Sequence, residues 1–482
     1  MFMFIEFCSI NPIDVFHKLC SKPYGFWLDS CGLSRYSFAG ADPFIVVKAR
    51  NNKVEIIQDS TCRITTGNIF STLTSLLNEF NPSHPLGTDL KSVPSKNIPF
   101  QGGAVGYFGY ELKNQLEQLP RKHAAEPNIP DCILGLYDTI FAYDHKINKG
   151  YVIASGLSEK NSRSRKLLAK KRANQFFDTM DTGCNLKSTY SPTQRPHPSL
   201  EREGKAFVRS NFTKKDYMNT IKRAQIYIAS GDIYQANLSQ RLTIEFRGNP
   251  LLLYSNLRTI SPSQFGAFLN YGDFQVISNS PERLLKVNND IAETSPIKGT
   301  RPRGKNLKED RLLIKELKKS RKELAEHIMI VDLERNDLGK ICEFGSIKAQ
   351  TLQKIYTYPT LHHMVSTIKG KLRDKMDPVD CIRSLFPGGS VTGAPKIRAM
   401  EIIEELEPTP RGIYTGAIGY IDFSGNMDLS MTIRTAVLHD NHLYLNVGGG
   451  IVADSNPEEE YEETMLKADA FFKAIAKTGY GC

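Results

Sequence analysis

No stretch of this 482-residue chain approaches the roughly 18–20 consecutive apolar residues that a membrane-spanning helix needs. The opening residues, MFMFIEFCSI, lack a basic n-region and carry Glu6 inside their apolar run, so they are expected to form the first strand or helix of the mature protein and not a secretion signal. The nine cysteines are odd in number and contain no CxxC pair. That excludes a disulfide framework and a structural zinc site, and it predicts a reducing, cytoplasmic setting. Neither basic stretch, SRSRKLLAKKR (162–172) or the region 298–322, is interleaved with aromatics for base stacking. No helix-turn-helix, zinc-finger or RNP signature appears, so nucleic acid is not the expected partner. FPGGSVTGAPK (386–396) is no Walker A loop, because Pro395 stands before Lys396 where that motif requires glycine.

What remains is the profile of a soluble globular protein, 40% hydrophobic and 24% charged, with a net charge of +10 that suits an anionic substrate. The length allows two or three domains or one large fused one. Residues 1–186 read as strands and turns with a few helices: a hairpin at 45–57 turning at Asn51–Asn52, a glycine–aromatic segment at 102–112, one strand at 133–145 and a basic helix at about 160–180. Residues 187–204, with three prolines and few large apolar side chains, read as a linker or loop. In 205–482, Thr213 and Asp216 predict a helix start and Gly231 its stop. Strands are expected at 237–246, 274–281, 417–423, 429–438 and 442–452, and long helices at 308–337 and 457–477. Strand runs with intervening helices, without strict βαβ alternation, point to an α+β fold.

Three local patterns bear on chemistry. Lys298 lies in PIKGTRPRG (296–304), where Pro296, Pro302, Gly299 and Gly304 predict a stiff turn. A lysine amine in water is protonated at neutral pH, so nucleophilic use needs a setting that releases the proton; burial or the nearby Arg301 and Arg303 are the candidates. Glu323 with Glu326, and Glu460 with Glu463, are i,i+3 pairs on the two long helices. If those helices face one another, the four carboxylates form an oxygen-rich cage suited to Mg²⁺. The glycine turns at 386–396 and 447–451 can present backbone N–H groups to a carboxylate, with Arg434 and Lys467 as clamps.

The ordered series GDIYQANLSQR, SPERL, PIKGTRPRG, ELAEHIMIVDLERNDLG, LHHMVST, LFPGGSVTGAPK, RGIYTGAIGY, MTIRTAV and VGGGIVADSNPEEEYEET resembles the chorismate-utilising enzymes, over roughly 205–482. These include anthranilate synthase component I, the synthase subunit of aminodeoxychorismate synthase, isochorismate synthase and salicylate synthase. The likeness extends more loosely through GFWLDS, SRYSFAGADPF and PFQGGAVGYFGYEL. It implies a sandwich of two large, mainly antiparallel β-sheets with helices outside, the 1–186 region and the 205–482 catalytic region fused in one globule. It implies Mg²⁺ on Glu326 and Glu463, with Glu323 and Glu460 beside them. Glu282 is implied as the acid–base group on the departing 4-hydroxyl. Tyr414, Arg434, Lys467 and the backbone at Gly448, Gly449 and Gly450 are implied to hold the substrate carboxylates, with Thr300 and His363 lining the pocket.

Two positions divide the family. Its hydrolytic members resemble one another in a water-activating lysine where this chain has Gln235, and an amide is no base at neutral pH. Anthranilate synthases typically read PIAGT, whereas aminodeoxychorismate synthases read PIKGT, as here, with a lysine thought to add to C2 so that ammonia enters at C4. The resemblance therefore implies amination of chorismate on the p-aminobenzoate branch toward folate, with anthranilate formation as the alternative. None of the nine cysteines sits in a nucleophile setting such as GxCxG, so ammonia is expected from a separate glutamine amidotransferase subunit. Leu28–Ser30 stands where related anthranilate synthases bind tryptophan, which makes tryptophan a candidate ligand.

Overall fold

The computed structural model describes residues 3–7, 11–81, 98–122, 126–159, 161–181, 208–358 and 361–479. The expected linker at 187–204 lies outside the described residues. Two twelve-stranded sheets dominate, and their paired strands run antiparallel. Each sheet takes five strands from the first 160 residues and seven from the rest. In the first, Gly25–Asp29 pairs with Phe265–Asn270; in the second, Gly103–Phe108 pairs with Ala417–Asp422. Neither half of the chain closes a sheet without the other.

Apolar contact between the sheets makes the central core, where Phe26, Phe38, Val105, Tyr107, Val276, Ile418 and Tyr420 interdigitate. The outer face of the first sheet is covered by the helices Pro12–Cys20, Ser162–Asp181, Pro250–Ile260 and Pro457–Lys477. The second is covered by Ile69–Phe80, Arg321–Gly339 and Pro378–Leu385. The result is an α+β fold, as the strand–helix pattern predicts, built as the two-sheet sandwich with outer helices that the motif resemblance implies.

Several helix boundaries follow their local chemistry. Thr213 caps Lys214–Ala229 by accepting the Asp216 N–H, and Gly231 at φ +79° turns the chain beyond its end. Asn456 accepts from Glu458 and Glu459 at the start of Pro457–Lys477, and Pro457 occupies the first turn, where a missing N–H is harmless.

Three expected elements are each divided in two. The helix expected at 308–337 is Leu307–Lys319 followed by Arg321–Gly339, because Ser320 leaves helical geometry and caps the second helix through the Glu323 N–H. The strand expected at 133–145 is Cys132–Tyr137 in one sheet and Thr139–Asp144 in the other. Asp138 makes the crossing, buried, with Thr139, Ser158 and Arg172 as partners. The strand expected at 429–438 is Met427–Met431 and Thr435–His439, again in different sheets, with Arg434 at φ +49° between them. Hydropathy period cannot register such a crossing, since both halves are apolar strands.

Trp27, the sole tryptophan, is 0% exposed, stacked 4.5 Å from Phe16 and edge-on to Tyr254 at 5.1 Å. Trp27→Ala is expected to cost about 3–5 kcal/mol, read as a lowered urea midpoint in far-ultraviolet circular dichroism, with Trp27→Phe losing much less; an unchanged midpoint for the alanine variant would show that this contact does not support the fold.

Candidate active site

Lys298 lies on the strand Ile297–Pro302, at a register shift between Ile297 and Thr300, and not on the expected turn. The bulge follows from Gly299, whose φ of +81° a side chain rarely adopts and whose missing Cβ would lie 2.9 Å from Leu317 and 3.1 Å from Glu323. Among the described residues Lys298 forms no ion pair and no side-chain hydrogen bond. Arg301 and Arg303 do not flank its amine as expected. Arg301 binds Glu316 and Glu323, and Arg303 binds Asp310. The groups that feel the Lys298 charge are the carboxylates Glu282, Glu326 and Glu463, together with His327.

Beside that amine stand Gln235 and the glycine strand. The strand Gln235–Glu245 pairs with His442–Ile451, placing Asn237 opposite Gly450 and Ser239 opposite Gly448. A Cβ on Gly450 would collide with Gln235 Nε2 and lie 3.3 Å from Lys298 Nζ. Gln235 is 0% exposed, yet neither its Oε1 nor its Nε2 has a partner. A buried amide left unpaired costs about 1–3 kcal/mol, which is tolerable where a ligand completes it. A Cβ on the neighbouring Gly449 would instead lie 3.0 Å from Glu460 and 3.9 Å from Lys467.

Glu282 is 4% exposed. Burial raises its pKa above the usual carboxylate value, opposed by the Ser390 hydroxyl, Lys298, the Ile297 N–H and Arg434. The Ser390 hydroxyl donates to its Oε1 at 2.6 Å. Arg434 has no ion-pair partner among the described residues; burial lowers its pKa and Glu282 opposes this. His363 Nδ1 lies 2.9 Å from the Thr300 hydroxyl across the strand pair. Burial, then Arg434, lowers the His363 pKa to about 3, so its ring is neutral at physiological pH. A neutral imidazole beside an unpaired guanidinium is suited to a bound carboxylate.

The two acidic helices do face one another: Lys322 on the first lies 3.7 Å from Glu460 on the second. The four carboxylates nevertheless do not form the expected cage, and among the described residues no three such groups converge on one metal position. Arg301 holds Glu323, and Ser455 donates to Glu460 at 2.7 Å. Burial raises the pKa of Glu326, with Glu323 and Glu460 adding to it, and that of Glu460, with Glu463 adding to it. Lys467, 2.7 Å away, holds Glu463 below the usual range. Mg²⁺ typically takes one or two carboxylates, with water and substrate oxygens completing its shell, so this donor set fits it without a closed protein cage.

Lys467 also donates to the Gly448 carbonyl at 2.8 Å. Tyr414 is buried, its ring lies 5.7 Å from the Arg411 guanidinium, and burial raises its phenol pKa. The glycine segment at 386–396 does present an N–H to a carboxylate, but to one of the protein's own: Gly389 donates to Glu334. Ser390, which holds Glu282, was not singled out by the sequence reading; the only signal was its place in that glycine segment. A cavity of about 880 Å³ opens elsewhere between the sheets, lined by Leu28, Asp29, Ser30, Phe265, Arg283 and Tyr420 but by none of the expected catalytic or metal-binding groups. No helix among the described residues is long and apolar enough to cross a membrane.

The family described as chorismate binding enzyme matches residues 24–473. Anthranilate synthase component 1 of Acetivibrio thermocellus is 38% identical over 97% of this chain and 93% of that protein. Aminodeoxychorismate synthase component 1 of Salmonella typhimurium is likewise 38% identical, over 90% of this chain and 88% of that protein. The crystal structure of anthranilate synthase component I from Streptococcus pneumoniae TIGR4 superimposes with a TM-score of 0.75 at 30% identity, covering 91% of this chain and 92% of that one.

Gly450→Ala should push Gln235 and Lys298 apart and reduce chorismate consumption about a hundredfold, with a melting temperature near that of the parent. A variant as active as the parent would remove the glycine strand from the reacting region.

Proposed function

The chain belongs to the chorismate-binding enzymes of the anthranilate synthase component I type, and within that family we propose that it aminates chorismate at C4, giving 4-amino-4-deoxychorismate. The observation that carries this reading is the unpaired Lys298 amine beside the unpartnered Gln235 amide and within the field of Glu282. Overall likeness does not discriminate, since anthranilate and aminodeoxychorismate synthase relatives both reach 38% identity. The discriminating group is the lysine itself.

In this reading the Lys298 nitrogen adds to C2 of chorismate through its lone pair, and the C4–O bond breaks as Glu282 gives its proton to the hydroxyl, which leaves as water. The lysine nitrogen then passes a proton to Glu282. Ammonia adds at C4 as the C2–N bond breaks, Glu282 gives that proton to the departing Lys298 nitrogen, and the new C4 ammonium group returns one proton to Glu282. The net change is chorismate plus ammonia to aminodeoxychorismate plus water. Arg434, with neutral His363 and Thr300 beside it, and Lys467 at the Gly448–Gly450 backbone hold the substrate carboxylates. Glu326 and Glu463 would hold Mg²⁺, with Glu323 and Glu460 around them; the ion supplies positive charge to the ring carboxylate. Gln235, in place of a basic lysine, leaves water unactivated.

Ammonia comes from a separate glutamine amidotransferase subunit. Tryptophan would occupy the cavity at Leu28–Ser30, whose Asp29 is already held by Arg258 at 2.6 Å and Tyr254 at 3.1 Å.

Incubation with chorismate, Mg²⁺ and ammonium should give a product that becomes p-aminobenzoate only when aminodeoxychorismate lyase is added; fluorescent anthranilate formed by the parent without a second enzyme would defeat the reading. Lys298→Ala should lose most aminodeoxychorismate formation while retaining chorismate binding, and an undiminished rate would remove the covalent step. Glu282→Gln should lower the rate by about 10²–10⁴-fold. Glu326→Gln and Glu463→Gln should each raise the Mg²⁺ concentration needed for half-maximal turnover, and an unaltered Mg²⁺ titration would place the ion elsewhere.

A further inference from the structure

A second buried carboxylate, Glu334 on the helix Arg321–Gly339, binds the same turn as Glu282 and takes no part in the steps above. It is 2% exposed. Its Oε1 accepts the Gly389 N–H at 3.2 Å, and its Oε2 accepts the Thr294 hydroxyl at 3.2 Å. Gly389 and Ser390 are consecutive in the short turn Gly389–Val391, and Ser390 is the residue that donates to Glu282. Two buried carboxylates therefore grip neighbouring residues of one turn. The approach depends on Gly389, where a Cβ would press on Leu333 and lie 3.4 Å from Glu334 Oε1.

The charges facing Glu334 are Asp337 from its own helix, Lys396 from Lys396–Leu406, and Glu282 from the loop before Arg283–Asn288. Lys396 is paired to Asp337, which also binds Lys340 at 2.9 Å, so the nearest cation is shared with another carboxylate. Burial, then Asp337, raises the Glu334 pKa to about 8, with Glu282 adding to the rise and Lys396 and Thr294 opposing it. Glu282, by contrast, faces the Arg434 guanidinium, which keeps its positive charge while Lys298 acts as nucleophile. Two such groups titrate as a pair, and the proton they retain rests on the member farther from positive charge.

We propose that Glu334 is the proton store of Glu282: the pair holds one proton at working pH, resting on Glu334 and supplied to Glu282 when the substrate hydroxyl leaves. This rests on Glu282 as proton donor in the reaction proposed above. The balance is closed: Glu334 loses the proton, Glu282 gains it and passes it to the departing hydroxyl, and the proton shed by the nitrogen nucleophile recharges the pair. Glu334 touches no substrate and acts through Glu282 as a positioning residue.

The test is the pH dependence of kcat/KM for chorismate disappearance, which does not depend on which aminated product forms. In Glu334→Gln the last proton of the pair is that of Glu282 alone. The alkaline limb should then move down by about one pH unit or more, while the rate on the low-pH side of that limb stays within a few-fold of the parent. Glu334→Asp, which keeps a titrating group, should keep the limb near its original position. Superimposed profiles for the parent and Glu334→Gln would overturn the proposal. So would an equal loss at every pH in both variants, since that is what a purely structural role at the Gly389 turn produces.

Stability gives a readout that survives failure of the proposed reaction. A carboxyl whose folded-state pKa of about 8 exceeds its ordinary 4.5 keeps its proton in the folded state over that interval while the unfolded chain releases it. Stability then falls as pH rises between those values and levels off above them. Thermal melts across this range should decline less steeply for Glu334→Gln than for the parent, and parallel declines would show that Glu334 stores no proton.

Discussion

Backbone pairing between the two halves of the chain is the constraint on which the rest depends. Gly25–Asp29 with Phe265–Asn270, and Gly103–Phe108 with Ala417–Asp422, turn two partial sheets into complete ones. Interior strand edges carry unpaired N–H and C=O groups that are costly to bury, so neither half is a self-sufficient layer. Gly106, paired with Gly419, carries the contact where the strands meet: a Cβ at either would strike the backbone of the strand beyond it. Once both sheets close, the chain crosses between them at fixed points, and one crossing presents Arg434 to Glu282 and His363.

The site is a collection of polar groups that folding leaves incomplete. Gln235 is buried without partners, and Lys298 and Arg434 lack ion pairs among the described residues, while comparable groups nearby are satisfied. Arg411 is fully served by Glu407, Val391, Thr415 and Asn237; Lys113 lies between Glu111 and Glu404. The contrast separates structural charges, which find protein partners, from groups whose partner is a ligand. Burial also raises the pKa values of Glu282 and Glu334, so stability and function oppose one another along the same turn.

Much of the local structure was legible in the residue pattern. The Thr213 cap, the hairpin turning at Asn51–Asn52 and the helix Pro457–Lys477 all follow from near-neighbour chemistry. The misreadings share one cause. Ser320 and Asp138 each interrupt a helical or apolar pattern by a single residue, and the break that holds Arg434 spans only Thr432 to Arg434, so periodicity averages over them. The site was partly legible for the same reason: the i,i+3 spacing placed Glu323 beside Glu326, but it could not show that Arg301 occupies the first and Ser455 binds Glu460.

By itself the sequence determined the ordered series of motifs, the helices that carry the paired glutamates, and the lysine of PIKGT. Those are properties of residues within a few positions of one another, where spacing sets geometry. The tertiary structure alone decided that Lys298 stands on a bulge and not a turn, and that Arg301 and Arg303 turn to other carboxylates. It also decided that Glu334 meets the turn that holds Glu282. Apart from Arg303 with Asp310, 7 positions away, those contacts join residues 15 to 108 positions apart, and strand pairing and helix packing, not local pattern, bring them together.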